Sequence, residues 1–528
     1  MTDTLTPTSE IVTQSNERNA MTPKRLISAL LLLIPLAIGA QTPFDWQVGM
    51  TVNAGDSELA PYYIASNRGG TVTQQYSTLF NAAVMHNMDT TRRLSWGAGV
   101  ELWAGWASSA TYGLTPATLG VTHDTHPARV WVQQAWAEGK YRAVYVTLGA
   151  KRKGSALLND DLSSGDLTRS ANSRPMVGIG GGLIQFQSVP FTKDWLQISG
   201  ELGYYKPCDD KWLENHYNYY NHFITTDWWY NYKNLYFRSH PGKPFVFTIG
   251  MQAACQFGGT NSTYMNGVLV NTVEQKADAE AFFKALIPNR GGSHGGDKAF
   301  YEGNHLGTWD VMLEYKFHNG AKLRGYCQSP WEDGSGIGLR NGFDGLWGLE
   351  YRAANSGWLT GAVVEYIDFT NQSGPIHWSP TDHEGTTLTT NVTGMDDYYN
   401  NYAFNGYHNR GMSIGSPMIK SPLYNTDGHL RFDHNAVRGF HAAIKGNLGS
   451  QWRYRAMGSW RKSWGSRVQP IANAITATSL MLEATYSPAQ VPGLECGAQL
   501  AMDHGDLYGN NVGGLISVTY HGNFTLGK

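Results

Sequence analysis

The feature that most restricts the fold is the alternating stretch Leu94–Ala107, which reads LSWGAGVELWAGWA. Its even-numbered positions from Trp96 to Trp106 are apolar, and the intervening positions are Ser95, Gly97, Gly99, Glu101, Trp103 and Gly105. Successive side chains of a strand point to opposite faces, so one face is apolar and the other is small or polar. A tilted strand of about ten residues crosses a bilayer, with aromatic residues at both interfaces. The stretch fits a transmembrane barrel strand, and also a half-buried strand of a soluble sandwich.

The recurrence of this alternation favours the barrel. About seventeen or eighteen segments repeat it, and the clearest are Trp195–Tyr204 and Phe245–Phe257. Asn319-Gly320, placed between two alternating runs, is the strongest kind of short hairpin signal. Bacterial barrels favour even strand numbers. We therefore predict an all-β fold, a transmembrane antiparallel β-barrel of about 18 strands with long extracellular loops.

Three segments depart from the alternation. Thr370–Asp433 is a long polar insert of the size that barrels place outside the cell. Val273–Leu286 has a helical pattern that Pro288 ends, which predicts one short helix inside a loop. Pro207–Tyr232 breaks the strand period and is dense in aromatic residues and asparagine.

The first forty residues predict an export signal. Lys24 and Arg25 precede an apolar run from Leu26 to Ile38, and a cleavage site fits before Gln41. This is the pattern of a secretory signal peptide, here residues 21–40. Residues 1–20 precede its basic region, so we predict that Met21 is the true start. Residues 41–528 are then a single barrel domain, exported by the Sec route to the outer membrane of a Gram-negative bacterium.

Composition excludes several classes of function. The chain has 528 residues with a net charge of −2, and only 16% of its residues are charged. It lacks a basic block, which argues against nucleic acid as a partner. Its four cysteines are far apart and form no metal or redox motif. We predict no metal, no cofactor and a monomeric protein in contact with outer-membrane lipid.

Charged residues fall on the non-apolar face of the predicted strands. A lipid-facing Arg or Lys at the bilayer midplane costs roughly 2–4 kcal/mol, so these side chains are expected to face the lumen. Both signs occur, which favours a salt-bridged lumen over a single-sign selectivity ladder for a permeating solute. The predicted lumen charge network is Glu101, Glu201, Glu314, Arg324, Glu350, Arg352, Glu365, Arg453, Arg455 and Glu483.

Four stretches, taken in order, resemble the capsule-assembly Wzi family of outer-membrane proteins. They are Leu162–Phe191 (LSSGDLTRSANSRPMVGIGGGLIQFQSVPF), Glu332–Tyr351 (EDGSGIGLRNGFDGLWGLEY), Thr370–His377 (TNQSGPIH) and Asp397–Asn401 (DYYNN). The resemblance implies an eighteen-stranded barrel with an occluded lumen. It also implies a lectin-like role, in which the protein holds capsular polysaccharide on the cell surface. Gln41–Gly69 departs from the family because it lacks the period of an amino-terminal helical bundle.

Glycan binding needs flat aromatic faces for sugar rings and planar polar groups for hydroxyls. Three clusters supply both, and the alternative for each is an interfacial girdle or a loop packed into the lumen. The predicted polysaccharide-binding residues are Tyr219, Trp228, Trp229 and Tyr232 in the first cluster, Trp331, Asp333 and Arg340 in the second, and Asp397, Tyr398 and Asn400 in the third.

Catalysis has little support in the sequence. The adjacent pairs Asp160-Asp161 and Asp396-Asp397 would point apart on a strand, and Ser163-Ser164-Gly165 is not a nucleophile elbow. We therefore predict no catalytic residues and a non-enzymatic protein that binds or anchors capsular or other surface polysaccharide. The first alternative is a porin-like channel for sugars or ions. The second is a barrel enzyme that acts on lipid or glycan.

Overall fold

The computed structural model describes residues 41–113, 123–125, 129–220, 222–287, 303–374, 377–378, 392–393 and 395–527. The predicted signal peptide and the segment upstream of Met21 lie outside these residues. No helix in the described part of the chain is long and apolar enough to cross a membrane.

Eighteen antiparallel strands form one closed barrel. The first strand pairs with both the second and the last, so the wall has no free edge. The strands are β1 (Thr42–Gly55), β2 (Ser77–His86), β3 (Leu94–Ala107), β4 (Val130–Tyr141), β5 (Val144–Ala150), β6 (Val177–Leu183), β7 (Leu196–Lys206), β8 (Trp229–Ser239), β9 (Phe245–Phe257), β10 (Asn304–Lys316), β11 (Lys322–Trp331), β12 (Gly345–Arg352), β13 (Gly361–Asp368), β14 (Val437–Leu448), β15 (Trp452–Gly465), β16 (Pro470–Tyr486), β17 (Leu494–His504) and β18 (Asn511–Leu526). The two-residue segment Gln187–Ser188 also pairs with β7. The predicted barrel is confirmed.

Alternation along each strand separates lipid from lumen. On β2, Phe80 and Val84 are exposed on the outside, whereas Leu79 and Asn81 are buried on the inside. On β3, Val100 and Leu102 repeat this pattern on the outer face. A closed barrel with an apolar outer surface satisfies every backbone group of the wall without water, as a membrane requires.

The connections differ in length at the two ends of the barrel. The end that carries both chain termini has only short turns. The other end carries the long connections, which identifies it as the extracellular end. We number these loops L1 (56–76), L2 (108–129), L3 (151–176), L4 (207–228), L5 (258–303), L6 (332–344), L7 (369–436), L8 (466–469) and L9 (505–510).

Loops L1, L3 and L7 fold back inside the wall. They contribute most of the largest buried cluster, including Ile64 of L1, Leu167 of L3 and Tyr407 and Ile419 of L7, each no more than 1% exposed. The one-turn helix α1 (Tyr62–Ala65) of L1 packs against β16, β17 and β18. The core of the molecule therefore lies in the lumen.

Two local predictions are corrected. The loop helix covers Ala279–Lys284 (α3) and not Val273–Leu286, because Val268–Gln275 pairs with Gly259–Met265 in a hairpin of L5. The Asp278 side chain caps α3 by accepting a hydrogen bond from the Ala281 amide at 3.0 Å, which sets its start. Three further short helices occur in the described residues: α1, α2 (Asp210–His216) and α4 (Gly334–Ile337).

The second correction concerns the aromatic stretch Pro207–Tyr232, in which no strand was predicted. It contains the start of β8, and β8 is the wall strand that the alternation did not reveal. Asn231 and Lys233 occupy outward positions of β8, where lipid-facing strands have apolar residues, so the period is lost there.

Candidate functional site

The predicted charge network lines the lumen. Glu314, Arg324 and Glu350 are direct register partners on β10, β11 and β12. Arg324 binds Glu314 at 2.6 Å and Glu350 at 3.6 Å, and Arg352 pairs with the same Glu350 carboxylate. Charges of opposite sign thus alternate around the wall and hold neighbouring strands together.

Other members of the network attach loop L3 to the wall. Glu201, Glu350 and Glu365 each accept a hydrogen bond from an L3 side chain. Arg169 pairs with Glu201 at 3.0 Å, and the buried Ser163 Oγ donates to Glu365 at 2.7 Å. These bonds fix L3 across several strands, so the carboxylates position a loop inside the lumen.

The remaining members are also paired. Arg455 binds its register partner Glu483 at 3.0 Å, and Arg453 binds Glu495 at 2.7 Å. Glu101 accepts a hydrogen bond from an amide side chain of β4. All ten predicted network residues therefore lie on lumen-facing positions with polar partners.

The first predicted glycan cluster is dispersed. Trp229 and Tyr232 point to opposite sides of β8, because three positions separate them on one strand. Tyr232 is fully buried in the lumen, where its hydroxyl donates to Gln252 at 2.6 Å. Trp228 is buried as well, whereas Tyr219 of L4 is half-buried against Tyr264. The structure does not bring these four predicted residues into one site.

The second and third clusters come together where L6 meets L7. The Tyr399 amide donates to Glu332 at 2.8 Å, and the Tyr398 hydroxyl donates to Asp344 at 3.1 Å. Trp331 and Tyr398 are at most 1% exposed, and Asn400 is buried too. We call Glu332, Asp333, Asp344, Asp396 and Asp397 the L6–L7 acidic cluster. Arg340 remains exposed on L6.

Burial dominates the electrostatics of this acidic cluster. It raises the pKa of Asp396 to about 8, with a further contribution from the Asp333 carboxylate. It also raises the pKa of Asp344 to about 6 and that of Glu332 well above its usual range. The negative charge of the Asp397 carboxylate is balanced by the Arg431 guanidinium at 3.5 Å, and the carboxylate also accepts a hydrogen bond from Asn435 Nδ2 at 2.7 Å. The cluster is a packed contact between two loops, in which burial favours the protonated form of Glu332 and Asp396.

A different set of side chains forms a partly exposed strip at the extracellular mouth of the lumen. Trp103 and Trp131 are register partners on β3 and β4 and point inward. Their rings stack with centroids 6.0 Å apart and an interplanar angle of 15°. The Arg174 guanidinium of L3 lies 5.1 Å from the Trp131 ring centroid, within range of a cation–π contact.

The strip continues through L7 to L4. The Asn409 side chain donates to the Arg174 carbonyl at 2.8 Å, which brings the neighbouring Arg410 beside it. Arg410 donates to the Cys208 carbonyl at 2.6 Å. Beyond it, Trp212 packs on Gly411. We define the mouth strip as Trp103, Trp131, Arg174, Arg410 and Trp212, all of which are partly exposed.

Arg174 and Arg410 give the mouth strip positive charge, although the buried Asp209 carboxylate lies near Arg410. Neither Arg174 nor Arg410 forms an ion pair with a carboxylate in the described part of the chain, and the Nε atom of each lacks a hydrogen-bond partner there. Burial and the nearby Arg410 guanidinium lower the pKa of Arg174 to about 9. Two guanidiniums that repel one another beside a flat indole pair can bind an anionic, ring-shaped ligand.

Sequence reasoning missed the mouth strip. A usable signal is Trp103 itself, an aromatic residue on the face of β3 that otherwise holds Ser, Gly and Glu. The pairing of Trp103 with Trp131 depends on strand register. Arg174 and Arg410 belong to L3 and L7, which are far apart in the sequence and are joined by several hydrogen bonds, including that of Asn409 to the Arg174 carbonyl. Among the described residues, no group of three or more His, Cys, Asp or Glu side chains is arranged to hold a metal ion.

Comparison with known proteins shows similarity in fold. No protein-family model matches the sequence, and no curated protein sequence matches it significantly. Wzi of Escherichia coli, described as a carbohydrate-binding β-barrel involved in group 1 capsule assembly, is 12% identical. Its TM-score is 0.51, over 94% of this chain and 88% of Wzi. OccK3 (OpdO) of Pseudomonas aeruginosa is 8% identical over 94% of this chain and 99% of its own, with a TM-score of 0.45. OccAB2 of Acinetobacter baumannii is 9% identical over 92% of this chain and 98% of its own, with a TM-score of 0.44.

Fold and surface together assign the compartment. The closed antiparallel wall of eighteen strands and its apolar outer face are those of an outer-membrane β-barrel of a Gram-negative bacterium.

Proposed function

We propose that this outer-membrane barrel binds capsular or other surface polysaccharide at its extracellular mouth, as a non-enzymatic monomer. The observation that carries the proposal is the mouth strip. A stacked indole pair offers a flat apolar face for sugar rings, and two unpaired guanidiniums beside it can bind carboxylates of an acidic glycan.

The filled lumen supports retention over passage. L1, L3 and L7 are packed into a continuous buried core, and L3 is bonded to wall carboxylates on at least three strands. A loop held by so many bonds is expected to keep solutes from crossing freely. The rival function, a porin-like channel for sugars or ions, requires an open path through this region.

The serines of L3 support a structural role more than a catalytic one. Ser163 Oγ donates to Glu365, and the Ser164 amide donates to the same carboxylate at 2.7 Å. Both serines are at most 3% exposed. A nucleophile needs access to substrate and a base oriented to take its proton. The barrel-enzyme alternative would have to operate elsewhere.

Similarity to Wzi supports the same function. Wzi is described as carbohydrate-binding and as involved in capsule assembly. Two of the stretches that resemble its family, Leu162–Phe191 and Asp397–Asn401, include parts of L3 and L7, the loops that fill the lumen. Of the five mouth-strip residues, Arg174 lies within such a stretch.

The deciding experiment measures glycan binding by the purified protein on an array of bacterial polysaccharides. Replacing Trp103 and Trp131 with alanine is expected to weaken binding at least tenfold, or about 1.4 kcal/mol or more. Trp106→Ala is the matched control, since Trp106 lies on the same strand but faces lipid and is 55% exposed. Equal affinity for the glycan in the Trp103 and Trp131 variant and in the Trp106→Ala control would contradict the proposal.

A test in cells and in bilayers separates the rivals. Deletion of the gene is expected to release polysaccharide into the medium while its synthesis continues, and Trp106→Ala is expected to restore retention. Unchanged cell-bound polysaccharide would reject the role. Large steady openings of the purified protein in planar bilayers would favour the porin-like channel instead.

A further inference from the structure

The outer wall of the barrel has a polar region on β8 near its extracellular end. On β8, Asn231 and Lys233 occupy outward positions. Lys233 is the register partner of Leu202 on β7 and of Ala253 on β9. It lies on the same outer face of β8 as the exposed Leu235, two positions later. A Lys or Asn on this face would be costly if acyl chains covered it.

Loop L5 covers this polar region from outside. Lys233 Nζ donates to the Ala285 carbonyl at 2.8 Å, at the end of α3. The Tyr204 hydroxyl of β7 donates to the Phe282 carbonyl at 2.6 Å. Helix α3 therefore lies against the exterior of the wall and satisfies the polar groups of the wall with its own carbonyls.

Packing holds the helix in that position. The Phe282 ring makes centroid contacts of 5.0–5.1 Å with Tyr204, Trp229 and Phe257. Together with the buried Ala281 and Ala285, this ring fills the space between the helix and β7, β8 and β9. One side of α3 is thus fully used by contact with the wall.

Away from the wall, the end of α3 and the turn after it expose two large apolar side chains that no described residue covers. Phe283 is 66% exposed and Ile287, four residues later, is 62% exposed. Ile287 follows α3 in a turn closed by its own amide, which donates to the Lys284 carbonyl at 3.3 Å, so both side chains belong to one short segment that we treat as a single patch. The wall beside it continues with Leu202 and Leu235 and is exposed and apolar.

We propose that residues 279–287 of L5 form a lipid-contacting patch that completes the apolar belt of the barrel. In this arrangement Phe283 and Ile287 contact acyl chains of the outer leaflet. Helix α3 then presents an apolar surface to lipid in place of the polar stretch of wall that it covers. The proposal is independent of glycan binding, because it rests only on the wall and on L5.

Lipid fits this patch better than a second protein copy does. A specific protein interface buries about 1,200 Å² or more, far beyond two side chains. The patch is also continuous with the lipid-facing surface of β7 and β8, which is already an established interface. The Glu280–Lys284 ion pair at 2.9 Å places charge on the helix beside the patch, as the membrane–water boundary allows.

Nitroxide labelling of the full protein in lipopolysaccharide-containing liposomes tests the proposal. Phe283→Cys and Ile287→Cys are made separately in a Cys208→Ser, Cys327→Ala, Cys496→Ala background, with the buried Cys255 retained. Leu339→Cys in L6 is the control, since it is an apolar residue of similar exposure (61%) away from the wall. A heat-induced gel shift verifies that each variant forms a closed barrel.

Labels at positions 283 and 287 are expected to collide with oxygen several-fold more often than with a water-soluble nickel chelate, with the opposite ratio at position 339. A ratio at both positions equal to that at 339 would place the patch in water and overturn the proposal. Spin–spin broadening at either position would assign the patch to a second copy and also overturn it. The two cysteine variants are made separately. If one of them fails to fold, the label at the other position still tests the proposal.

Discussion

The mouth strip and the L6–L7 acidic cluster have similar residue types but opposite environments. Both combine aromatic rings with charged groups at the extracellular end of the barrel. The mouth strip is partly exposed and cationic, and its arginines form no ion pair with a described carboxylate, whereas the acidic cluster contains the buried carboxyls of Asp344 and Asp396, which are bonded within the two loops. The comparison teaches that composition identifies candidates for sugar contact, while exposure and charge balance separate a binding surface from a packed contact.

The largest expected effect that distinguishes the two regions is on stability. Tyr398 is fully buried, packs edge-on against Phe369 at 5.2 Å and donates to Asp344. Tyr398→Ala is expected to destabilise the L6–L7 contact by about 3–5 kcal/mol, the cost of truncating a buried aromatic residue. Limited proteolysis of L7 and thermal unfolding in detergent measure it. Trp103→Ala, in the partly exposed strip, is expected to cost clearly less stability, because it loses one stacked ring and one hydrogen bond, to Glu101. An equal loss in the two variants would remove the distinction.

A smaller but more specific effect concerns charge. Arg174→Gln combined with Arg410→Gln removes both unpaired guanidiniums of the mouth strip. Affinity for an acidic polysaccharide is expected to fall about a hundredfold, near 2.7 kcal/mol, and to lose most of its salt dependence. Affinity for a neutral glycan should change little. Arg340→Gln is the control, because Arg340 is an exposed cation on L6. The same loss in that control would show a diffuse surface effect.

The acidic cluster predicts a dependence on pH that the mouth strip lacks. Burial raises the pKa of Asp396 to about 8 in the folded protein, against about 4 in an unfolded chain. The folded state therefore favours the protonated carboxyl, so the stability of L7 is greatest below pH 4 and falls as the pH rises through about 8. Protection of L7 from protease is expected to decrease over that interval.

Asp396→Asn keeps the shape of the side chain and removes its titration. The variant is expected to show a flatter protection profile between about pH 4 and about pH 8 than the parent protein does. An unchanged slope would mean that Glu332 or Asp344 carries the titration, since burial raises the pKa of both.

The fold could be predicted from the sequence because a membrane wall imposes a period of two on every strand. Leu94–Ala107 and Phe245–Phe257 have the same bounds in the structure as in the sequence pattern. The pattern failed at β8, where α3 substitutes for lipid and allows Asn231 and Lys233 to face outward. The local alternation of a strand cannot reveal that a loop distant in the sequence folds over its outer face.

The site was less predictable for a related reason. The lumen charges were identifiable because lipid excludes charged side chains. Whether an aromatic side chain of a loop is buried inside the lumen, in contrast, cannot be read from a pattern in the sequence. Tyr232 and Tyr398 look like available sugar platforms in the sequence and prove to be fully buried. Arg410, like Arg340, is in the sequence a possible cation for an anionic glycan, but nothing there links it to Arg174, and only the folding of L3 against L7 places the two together.

The smallest effect expected is at Tyr219, which tests how far the glycan surface extends. Tyr219 is the half-buried residue of its predicted cluster, with edge contacts to Tyr217 at 5.0 Å and Tyr264 at 5.1 Å. Tyr219→Ala is expected to cost L4 about 0.5–1.5 kcal/mol of local packing and to weaken polysaccharide binding less than threefold, because it lies outside the mouth strip. Isothermal titration with the glycan selected on the array measures this. A loss as large as that of the Trp103 and Trp131 variant would extend the binding surface across L4 and show that half-exposure, without the unpaired cations, is enough to make a sugar platform.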